Sequence, residues 1–380
     1  MNRSGTYVNQ PTNYKAFIPN PLPPHPALIL EGELSEKLAK ASTLLARLDG
    51  MAYTLPNTHL FIYMYGKKEA LLSSQIEGTQ ATLEDIFEFE SGTPIKNEGD
   101  VTEVINYIKA LDYGIERLET LPLSLRLIKE LHAIILSQKS DISKPPGEFR
   151  RSQNWIGAPG STLKDAIFVP PPPHEALKAM GDLEKYLHTQ SPLPELVNCA
   201  LMHYQFETIH PFLDGNGRVG RLLVTFYLYW KGVLEKPLLY LSYYFKKNRQ
   251  EYYDRLRMVS ETGNYEQWIK FFLEGIIKTS ESAIATTKNI LNLQEKDQRK
   301  LYTHTSSIIA VQLLDHLFYV PILSVQTVQQ VLKISYPSAN KLIADFIKIG
   351  IVKEVTGKKR DKRYAYSAYL DILSEGTQPL

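Results

Sequence analysis

The run HPFLDGNGRVGR, residues 210–221, limits the fold of this chain more than any other segment. Apolar stretches with helical spacing lie on both sides of it, at 194–208 and 218–231, so the run connects two helices. Gly215 and Gly217 permit backbone conformations that are closed to other residues, and they let a ligand approach closely. The pattern predicts a helix–loop–helix unit whose loop binds a ligand.

The second half of this loop favours a ligand that carries phosphate groups. The N–H groups of Gly215, Asn216 and Gly217 lie where the following helix begins, and the helix dipole favours an anion there. Arg218 and Arg221 are three residues apart, so both guanidinium groups share one helix face and can fork onto phosphate oxygens.

Two further residues of the loop supply chemistry. Asp214 offers a hard carboxylate, the kind of ligand that Mg²⁺ accepts while keeping its waters. His210 is the only group in the loop that can accept a proton near pH 7. Each residue alone has a structural explanation, such as a turn or a solvated face, but no structural need brings all of them together. The loop predicts a nucleotide site that moves part of ATP onto a hydroxyl group.

The same run resembles, at all eight defining positions, the Fic family signature His-x-Phe-x-Asp/Glu-Gly-Asn-Gly-Arg-x-x-Arg. The resemblance implies an all-helical Fic fold and transfer of AMP from ATP to a protein Ser, Thr or Tyr hydroxyl. It also implies that His210 is the general base and that Asp214 holds Mg²⁺ or Mn²⁺. Relatives that transfer phosphate carry Lys in place of Gly217, so this glycine favours AMP transfer. The resemblance assigns ATP binding to Gly215, Asn216, Gly217, Arg218, Val219, Gly220 and Arg221.

Two other segments fit the same family. The stretch NWIGAPGSTLKDAIFVPPPP resembles the family's β-hairpin flap, which pairs with a target segment. Its residues Ile167, Phe168 and Val169 would clamp the target chain, although a hairpin buried for stability is an equal alternative. Downstream, Tyr252 and Tyr253 match a family tyrosine pair near the adenine. The Asn that often follows in the family is replaced by Ser260 here, which leaves the contacts to the base open.

A predicted helix at 67–89 contains Ser73-Ser74-Gln75-Ile76-Glu77-Gly78. Taken alone, Glu77 is an ordinary carboxylate on a helix surface. A glycine inside a helix costs about 1 kcal/mol relative to alanine, so Gly78 suggests the close approach of another group. The segment resembles the inhibitory-helix motif of many Fic proteins. That resemblance implies that Glu77 pairs with Arg221 and occupies the place of the ATP γ-phosphate.

The chain is predicted to be mainly α-helical, with a β-hairpin flap on a Fic core. The predicted units are an N-terminal arm and helical region carrying the inhibitory helix (1–100), the Fic catalytic core (101–280), a helical linker (281–300) and a winged-helix domain (301–380). The Pro-rich start, residues 1–30, predicts an extended arm. Further helices are predicted at 31–48, 101–118, 123–137, 174–189, 194–208, 218–231, 248–261 and 264–279.

The last 75 residues have the spacing of two short helices joined by a turn at 334–338, followed by a two-stranded wing at 351–367. This pattern predicts a winged helix-turn-helix. The basic residues of the wing favour contact with DNA phosphates. The second helix carries few basic residues, however, so a protein-docking role stays open. The basic set is Lys353, Lys358, Lys359, Arg360, Lys362 and Arg363.

Composition limits the remaining classes of function. The formal net charge of +2 argues against a protein that coats a polyanion. The single Cys199 indicates a reducing compartment, and the chain lacks a predicted signal peptide or membrane span, so we expect a cytoplasmic protein that does not contact membranes. Expected partners are a protein substrate docked on the flap and, as an open alternative, a second copy of the chain. Rival functions are removal of AMP at the same site and DNA-binding regulation with a vestigial site.

Overall fold

A computed structural model describes residues 2–54, 58–90, 95, 97–137, 145–158, 160–357 and 361–379. The described chain is mainly α-helical, as the sequence predicts. Its helices up to residue 304 are α1 (Glu33–Thr54), α2 (Thr58–Ile76), α3 (Leu83–Glu90), α4 (Glu98–Leu118), α5 (Leu125–Ile135), α6 (Pro173–His188), α7 (Glu195–Ile209), α8 (Asn216–Trp230), α9 (Ser242–Lys247), α10 (Arg249–Thr262) and α11 (Tyr265–His304). Six predicted helices, those from 101 to 261, correspond to α4, α5, α6, α7, α8 and α10 with ends that differ by at most three residues.

Helix α7 lies at the centre of the core. Nearly all of its side chains are buried, from Leu196 to Ile209, because α6, α8, α10 and α11 pack around it. A helix that is surrounded in this way is mostly apolar on every face, and its buried polar residues make hydrogen bonds, as His203 does with the carbonyl of Gly220 and Asn198 with the Tyr186 hydroxyl. Cys199 on α7 is fully buried, and burial raises the pKa of its thiol, so it is an inert core residue. The core thus fixes the end of α7, where the signature loop begins.

Helix α11 is a single helix of 40 residues that covers both the predicted helix at 264–279 and the predicted linker at 281–300. It runs parallel to α1, since ion pairs advance along both helices in the same direction. Glu33 pairs with Lys270 at 2.8 Å, and Lys40 pairs with Glu281 at 3.2 Å. Residues 281–300 therefore continue a helix of the core, because α1 packs against that helix.

The prediction of one helix at 67–89 is wrong, because α2 ends at Ile76 and α3 begins at Leu83. Past the end of α2, the N–H group of Glu77 bonds to the carbonyl of Ser74 at 3.0 Å, and Gly78 has a φ of +107°. A Cβ atom on Gly78 would meet nothing within 4 Å. The glycine therefore serves the positive φ of the turn and not the close approach of another group.

The N-terminal arm forms a β-hairpin that the sequence did not predict. Strands β1 (Gly5–Asn9) and β2 (Lys15–Pro19) pair antiparallel, with Gly5 opposite Pro19. The backbone N–H of Phe17 donates to the carbonyl of Val169 at 2.9 Å, and the Phe17 side chain is completely buried. The hairpin therefore anchors the segment predicted to form the flap.

The C-terminal part contains α12 (Ile308–Tyr319), β3 (Ile322–Leu323), α13 (Val325–Leu332), α14 (Tyr336–Lys348), β4 (Lys353–Glu354), β5 (Tyr364–Ala365) and α15 (Ser367–Ser374). Three residues join α13 to α14, and the strands form one sheet in the order β3-β5-β4. The predicted basic residues Lys358, Lys359 and Arg360 lie outside the described residues. Contact with DNA or with a protein stays a prediction. Among the described helices, none combines the length and apolarity needed to cross a membrane.

Candidate active site

The loop between α7 and α8 is bent sharply at both of its ends. His210 caps α7 with a left-handed backbone, at a φ of 50° and a ψ of 59°. Gly215 precedes α8 with a φ of +76°, a conformation that favours glycine. These two bends turn the loop back on itself, so that His210 and the first turn of α8 border the same space.

The side chain of Asn216 closes the loop. Its Oδ1 accepts a hydrogen bond from the N–H of Phe212 at 2.8 Å, and its Nδ2 donates to the carbonyl of Phe212 at 2.9 Å. Asn216 is buried, and Phe212 is fully buried and stacks on the His132 ring with 3.7 Å between the centroids. The amide of Asn216 therefore shapes the loop, while its backbone N–H belongs to the helix start.

His132 on α5 supports the loop through a bond to the backbone of Asp214, a role that the sequence did not reveal. Its Nδ1 accepts from the N–H of Gly147 at 2.8 Å, so Nε2 carries the proton and donates to the carbonyl of Asp214 at 3.0 Å. Burial lowers the pKa of His132 to about 4, which keeps this arrangement neutral. A histidine within a helical pattern gives no sequence signal for such a distant contact.

Arg150 and Asn154 hold the carbonyl group of His210. Arg150 is buried, and its Nε donates to this oxygen at 2.9 Å, while Nδ2 of Asn154 donates to it at 3.2 Å. Sequence analysis missed both residues, since the neighbouring arginines 150 and 151 are indistinguishable by pattern. The remaining N–H groups of Arg150 bond to the carbonyls of Ser152, Pro171 and Ile209.

The imidazole of His210 is held as a neutral base. Nδ1 lies 3.3 Å from the carbonyl of Glu207, which can only accept, so Nδ1 carries the proton and Nε2 keeps its lone pair. Burial lowers the pKa of His210 to about 4, and the positive charge of Arg150 contributes to the decrease. At neutral pH the ring can therefore accept a proton from a hydroxyl group.

The two arginines of α8 project into the same site, and both are almost completely buried. Arg218 Nη1 bonds to Glu103 at 3.1 Å, and its Nη2 lies 3.6 Å from Asp214. Arg221 Nη2 bonds to the carboxylate of Glu77 at 2.6 Å. The pair that the resemblance implied between Glu77 and Arg221 is therefore present in the structure.

The Glu77 carboxylate lies directly on the glycine of the loop. A Cβ atom on Gly217 would stand 2.3 Å from Oε1 of Glu77, so a larger residue here would displace this carboxylate from its present position. Burial raises the pKa of Glu77, but the charge of Arg221, aided by Arg218, outweighs it and holds the pKa below its ordinary value. The carboxylate is ionised at neutral pH and fills part of the space in front of the α8 N-terminus.

A second carboxylate lies behind α8. Oε1 of Glu207 is buried without a hydrogen-bond partner among the described residues, and a Cβ on Gly220 would stand 2.2 Å from it. Burial raises the pKa of Glu207 to about 7, and the charge of Arg221 lowers it only in part. Burial also raises the pKa of Glu69, whose charge interacts with Arg221, to about 7, so both buried carboxyl groups titrate in the neutral range. Val219, which the resemblance assigned to ATP binding, is fully buried in the core.

Asp214 is the residue of the loop that suits a divalent cation. Its Oδ1 accepts from the N–H of Gly215 at 2.6 Å, which fixes the carboxylate at the mouth of the loop. Within the described ranges, no group of three His, Cys, Asp or Glu side chains could hold a metal by itself. A single carboxylate fits Mg²⁺ that takes its other ligands from phosphates and water.

The tyrosine pair divides into a core residue and a surface residue. Tyr252 is fully buried, and its hydroxyl lies 2.9 Å from Nε2 of His203. Tyr253 is 37% exposed and is the member of the pair that a base could contact. Ser260, at the position of the family's Asn, is buried with its hydroxyl 2.9 Å from that of Tyr204, so it packs in the core.

The predicted flap is joined by one β-bridge between Ile156 and Phe168, whose backbones bond at 2.8 Å. Ile167 is 62% exposed, together with Trp155 and Ile156 on the facing segment. Val169 is buried and tied to β2 through its carbonyl. Ile167 can therefore contact a docked chain, whereas Val169 anchors the flap.

Comparisons with known proteins match the part of the chain that contains this site. The chain matches the Fic/DOC family N-terminal model over residues 35–116 and the Fic/DOC family model over residues 122–228. A Drosophila grimshawi protein named protein adenylyltransferase Fic is 28% identical over 262 residues, which cover 66% of this chain and 50% of the relative. The Drosophila yakuba protein of the same name is 29% identical over 235 residues, covering 59% and 44%. The chain spans about half the length of the curated relatives it matches.

Solved structures share the fold. The crystal structure of a Fic family protein from Desulfovibrio desulfuricans is similar with a TM-score of 0.58 at 19% identity, and the match covers 89% of this chain and 97% of that chain. Fic-1 from C. elegans matches with a TM-score of 0.50 at 21% identity over 67% of this chain and 74% of that chain. The expected Fic fold is confirmed.

Proposed function

The chain belongs to the Fic/DOC family, and we propose that it transfers AMP from ATP to a Ser, Thr or Tyr hydroxyl of a protein while Glu77 inhibits the reaction. The observation that carries the proposal is the neutral His210, whose Nε2 keeps its lone pair beside the N-terminus of α8. Relatives named protein adenylyltransferase are 28% and 29% identical to this chain over 262 and 235 residues. Gly217, which is Lys in phosphate-transferring relatives, supports AMP as the transferred group.

In the proposed reaction His210 Nε2 accepts the proton of the target hydroxyl. The hydroxyl oxygen forms a bond to the α-phosphorus of ATP, the bond from that phosphorus to the bridging oxygen breaks, and pyrophosphate leaves. The N–H groups at the start of α8 and the guanidinium of Arg218 stabilise the negative charge on the phosphates. Mg²⁺, held by Asp214, would supply further positive charge to the phosphate oxygens when bound.

The contact between Glu77 and Arg221 supports the inhibition. Nη2 of Arg221 is bonded to Glu77 and is therefore not free for a γ-phosphate. The Ser73 hydroxyl also accepts from Nε of Arg221 at 2.9 Å, so α2 occupies two edges of this guanidinium. ATP would then bind with its outer phosphates displaced from the position for in-line attack.

The exposed apolar part of the flap supports a protein as the acceptor. Ile167 and Ile156 lie side by side at the flap edge, where an extended segment could add by backbone pairing. Small acceptors would have no use for such an edge. The target segment would place its hydroxyl between the flap and His210.

The proposal is tested with ATP labelled at the α-phosphate and, separately, at the γ-phosphate. The full chain is incubated with Mg²⁺, and label on the protein itself is measured after denaturation. We expect label from α-ATP alone, and only when Mg²⁺ or Mn²⁺ is present. Label from γ-ATP alone would contradict AMP transfer, and metal-independent labelling would remove Asp214 from its role.

A further inference from the structure

Glu103 on α4 contacts the nucleotide site from outside the signature loop. Its Oε2 accepts from Nη1 of Arg218 at 3.1 Å, across 115 residues of sequence. The Arg218 side chain is only 3% exposed, whereas that of Glu103 is 27% exposed. The contact is therefore a charge-assisted hydrogen bond to a buried guanidinium, and it orients that group more strongly than a surface pair would.

The Nε edge of the Arg218 guanidinium is available to a ligand. Its Nε is buried and has no hydrogen-bond partner within the described part of the chain. An unpaired buried N–H of a cation is costly, so it calls for an acceptor that arrives with the ligand. Glu103 fixes one end of the guanidinium, and the Nε edge is left for a phosphate oxygen.

We propose that Glu103 is a positioning residue that holds the Arg218 guanidinium in the orientation that binds the nucleotide phosphates. The inference rests on the proposed function for the identity of the ligand. Removal of Glu103 would free an arginine with several rotatable bonds, and phosphate binding would then have to order it. The loss should appear in nucleotide affinity more than in the rate of the chemical step, because His210 is untouched.

The neighbouring contacts of α4 provide controls. The same Oε2 of Glu103 lies 3.4 Å from the Thr79 hydroxyl, and Asp100 accepts from the N–H of Gln80 at 2.7 Å. Both contacts hold the turn that follows Glu77. Asp100→Ala therefore loosens this turn without touching Arg218, and Thr79→Val removes only the hydroxyl that shares Glu103.

The test measures self-labelling in the Glu77→Gly background, where the turn no longer inhibits. Glu103→Ala should raise KM for ATP about tenfold and lower kcat less than that. Glu103→Gln keeps an oxygen that accepts from Nη1, so it should recover KM to within about threefold of the parent. Asp100→Ala and Thr79→Val should leave KM unchanged.

Direct binding separates this inference from the proposed function. ATP affinity is measured by calorimetry on the same Glu103 variants in a Glu77→Gly, His210→Ala background, and the thermal midpoint confirms folding. A tenfold weaker affinity for Glu103→Ala supports positioning even if no labelling is found. An affinity within about twofold of the parent, or an equal loss in Asp100→Ala, would overturn it.

Discussion

The proposed catalytic loop (residues 210–217) and the proposed inhibitory turn (residues 77–80) meet at Arg221, but the protein holds them in different ways. The loop's carbonyl oxygens accept bonds from buried or half-buried side chains on other elements, namely Arg150, Asn154 and His132. The turn contacts Arg221 through one carboxylate, with 37% of the Glu77 side chain exposed, and α4 holds the rest of the turn through Asp100 and Glu103. Nothing lies within 4 Å of a Cβ built on Gly78.

This difference places the proposed catalytic groups and the proposed inhibitory contact on separately held parts of the protein. A loop whose backbone is fixed by several independent bonds keeps its geometry when one neighbouring contact is lost. The turn contacts Arg221 through the Glu77 carboxylate alone, so a substitution of Glu77 removes this contact without removing any bond to the backbone of the loop. Inhibition by Glu77 should therefore be separable from catalysis by single substitutions.

The base of the turn is fixed by the C-terminal end of the chain. Nε2 of Gln75, two residues before Glu77, donates to the carbonyl of Thr377 at 2.8 Å. Lys246 is buried and donates to Oε1 of Gln75 at 2.7 Å and to the carbonyl of Gln378. The C-terminal segment thus holds the Gln75 side chain in the final turn of α2, and the same Nε2 also donates to the carbonyl of Ala81 at 2.9 Å.

The largest expected effect comes from the loop. His210→Ala should reduce self-labelling by about 10²–10⁴-fold, because it removes the general base. The backbone of residue 210 keeps its bonds from Arg150 and Asn154, so ATP affinity and the thermal midpoint should change little. Labelling is followed with α-labelled ATP in the Glu77→Gly background, where the signal is large.

An intact rate in His210→Ala would contradict the assigned base. A rate lost together with the fold would show that residue 210 supports the loop, which a circular dichroism melt distinguishes. The matched control is His174→Ala, because this histidine is exposed on α6 and outside the site. It should label as the parent does.

Sequence patterns predicted the loop because its information is local. Two glycines, one histidine and two arginines at fixed spacing predict an anion site without reference to the rest of the chain. The supports of the loop were missed, since His132 and Arg150 lie 60 or more residues away from their carbonyl partners. Such pairs depend on how α5 and the flap segment pack against α7, which periodicity does not reveal.

The inhibitory turn shows the opposite limit. The resemblance implied the partner of Glu77. The apolar residues keep helical spacing through 67–89, however, so the spacing did not indicate that α2 ends at Ile76. Thr82 and Asp85 carry a local signal for the new start, because Thr82 Oγ1 accepts from the N–H of Asp85 at 3.2 Å and Asp85 accepts from the N–H of Thr82 at 2.8 Å. This reciprocal cap follows the pattern of a capping box and was overlooked.

The second largest effect should come from the turn. Glu77→Gly should raise self-labelling at least tenfold, because it frees Nη2 of Arg221 for the γ-phosphate and removes no catalytic group. A gain of ten corresponds to about 1.4 kcal/mol, more than an exposed pair supplies, but Arg221 is only 2% exposed and the carboxylate also blocks the phosphate position. Labelling rates at saturating ATP provide the measurement.

The matched control for this variant is Gln80→Ala in the same turn, whose side chain bonds to the carbonyl of Gly78 and not to Arg221. It should change the rate less than about twofold. If Glu77→Gly instead labels less than the parent, Glu77 belongs to the catalytic groups. Faster loss of AMP from a pre-labelled target in the parent would then favour the AMP-removing reaction.

The smallest expected effect is that of pH, and it compares the two regions directly. Burial holds the pKa of His210 near 4, so the neutral base is present above that value and is lost only as pH falls through it. The pKa of Glu77 is also below its ordinary value, so its pair with Arg221 persists above that range and is lost as pH falls. Between pH 6 and 8, the labelling rate and the ratio of the Glu77→Gly rate to the parent rate should both change less than about twofold.

A half-maximal rate near pH 6.5 would show that His210 titrates as in water. A transition near 7 that disappears in Glu207→Gln would instead assign it to that buried carboxyl, whose pKa is raised to about 7.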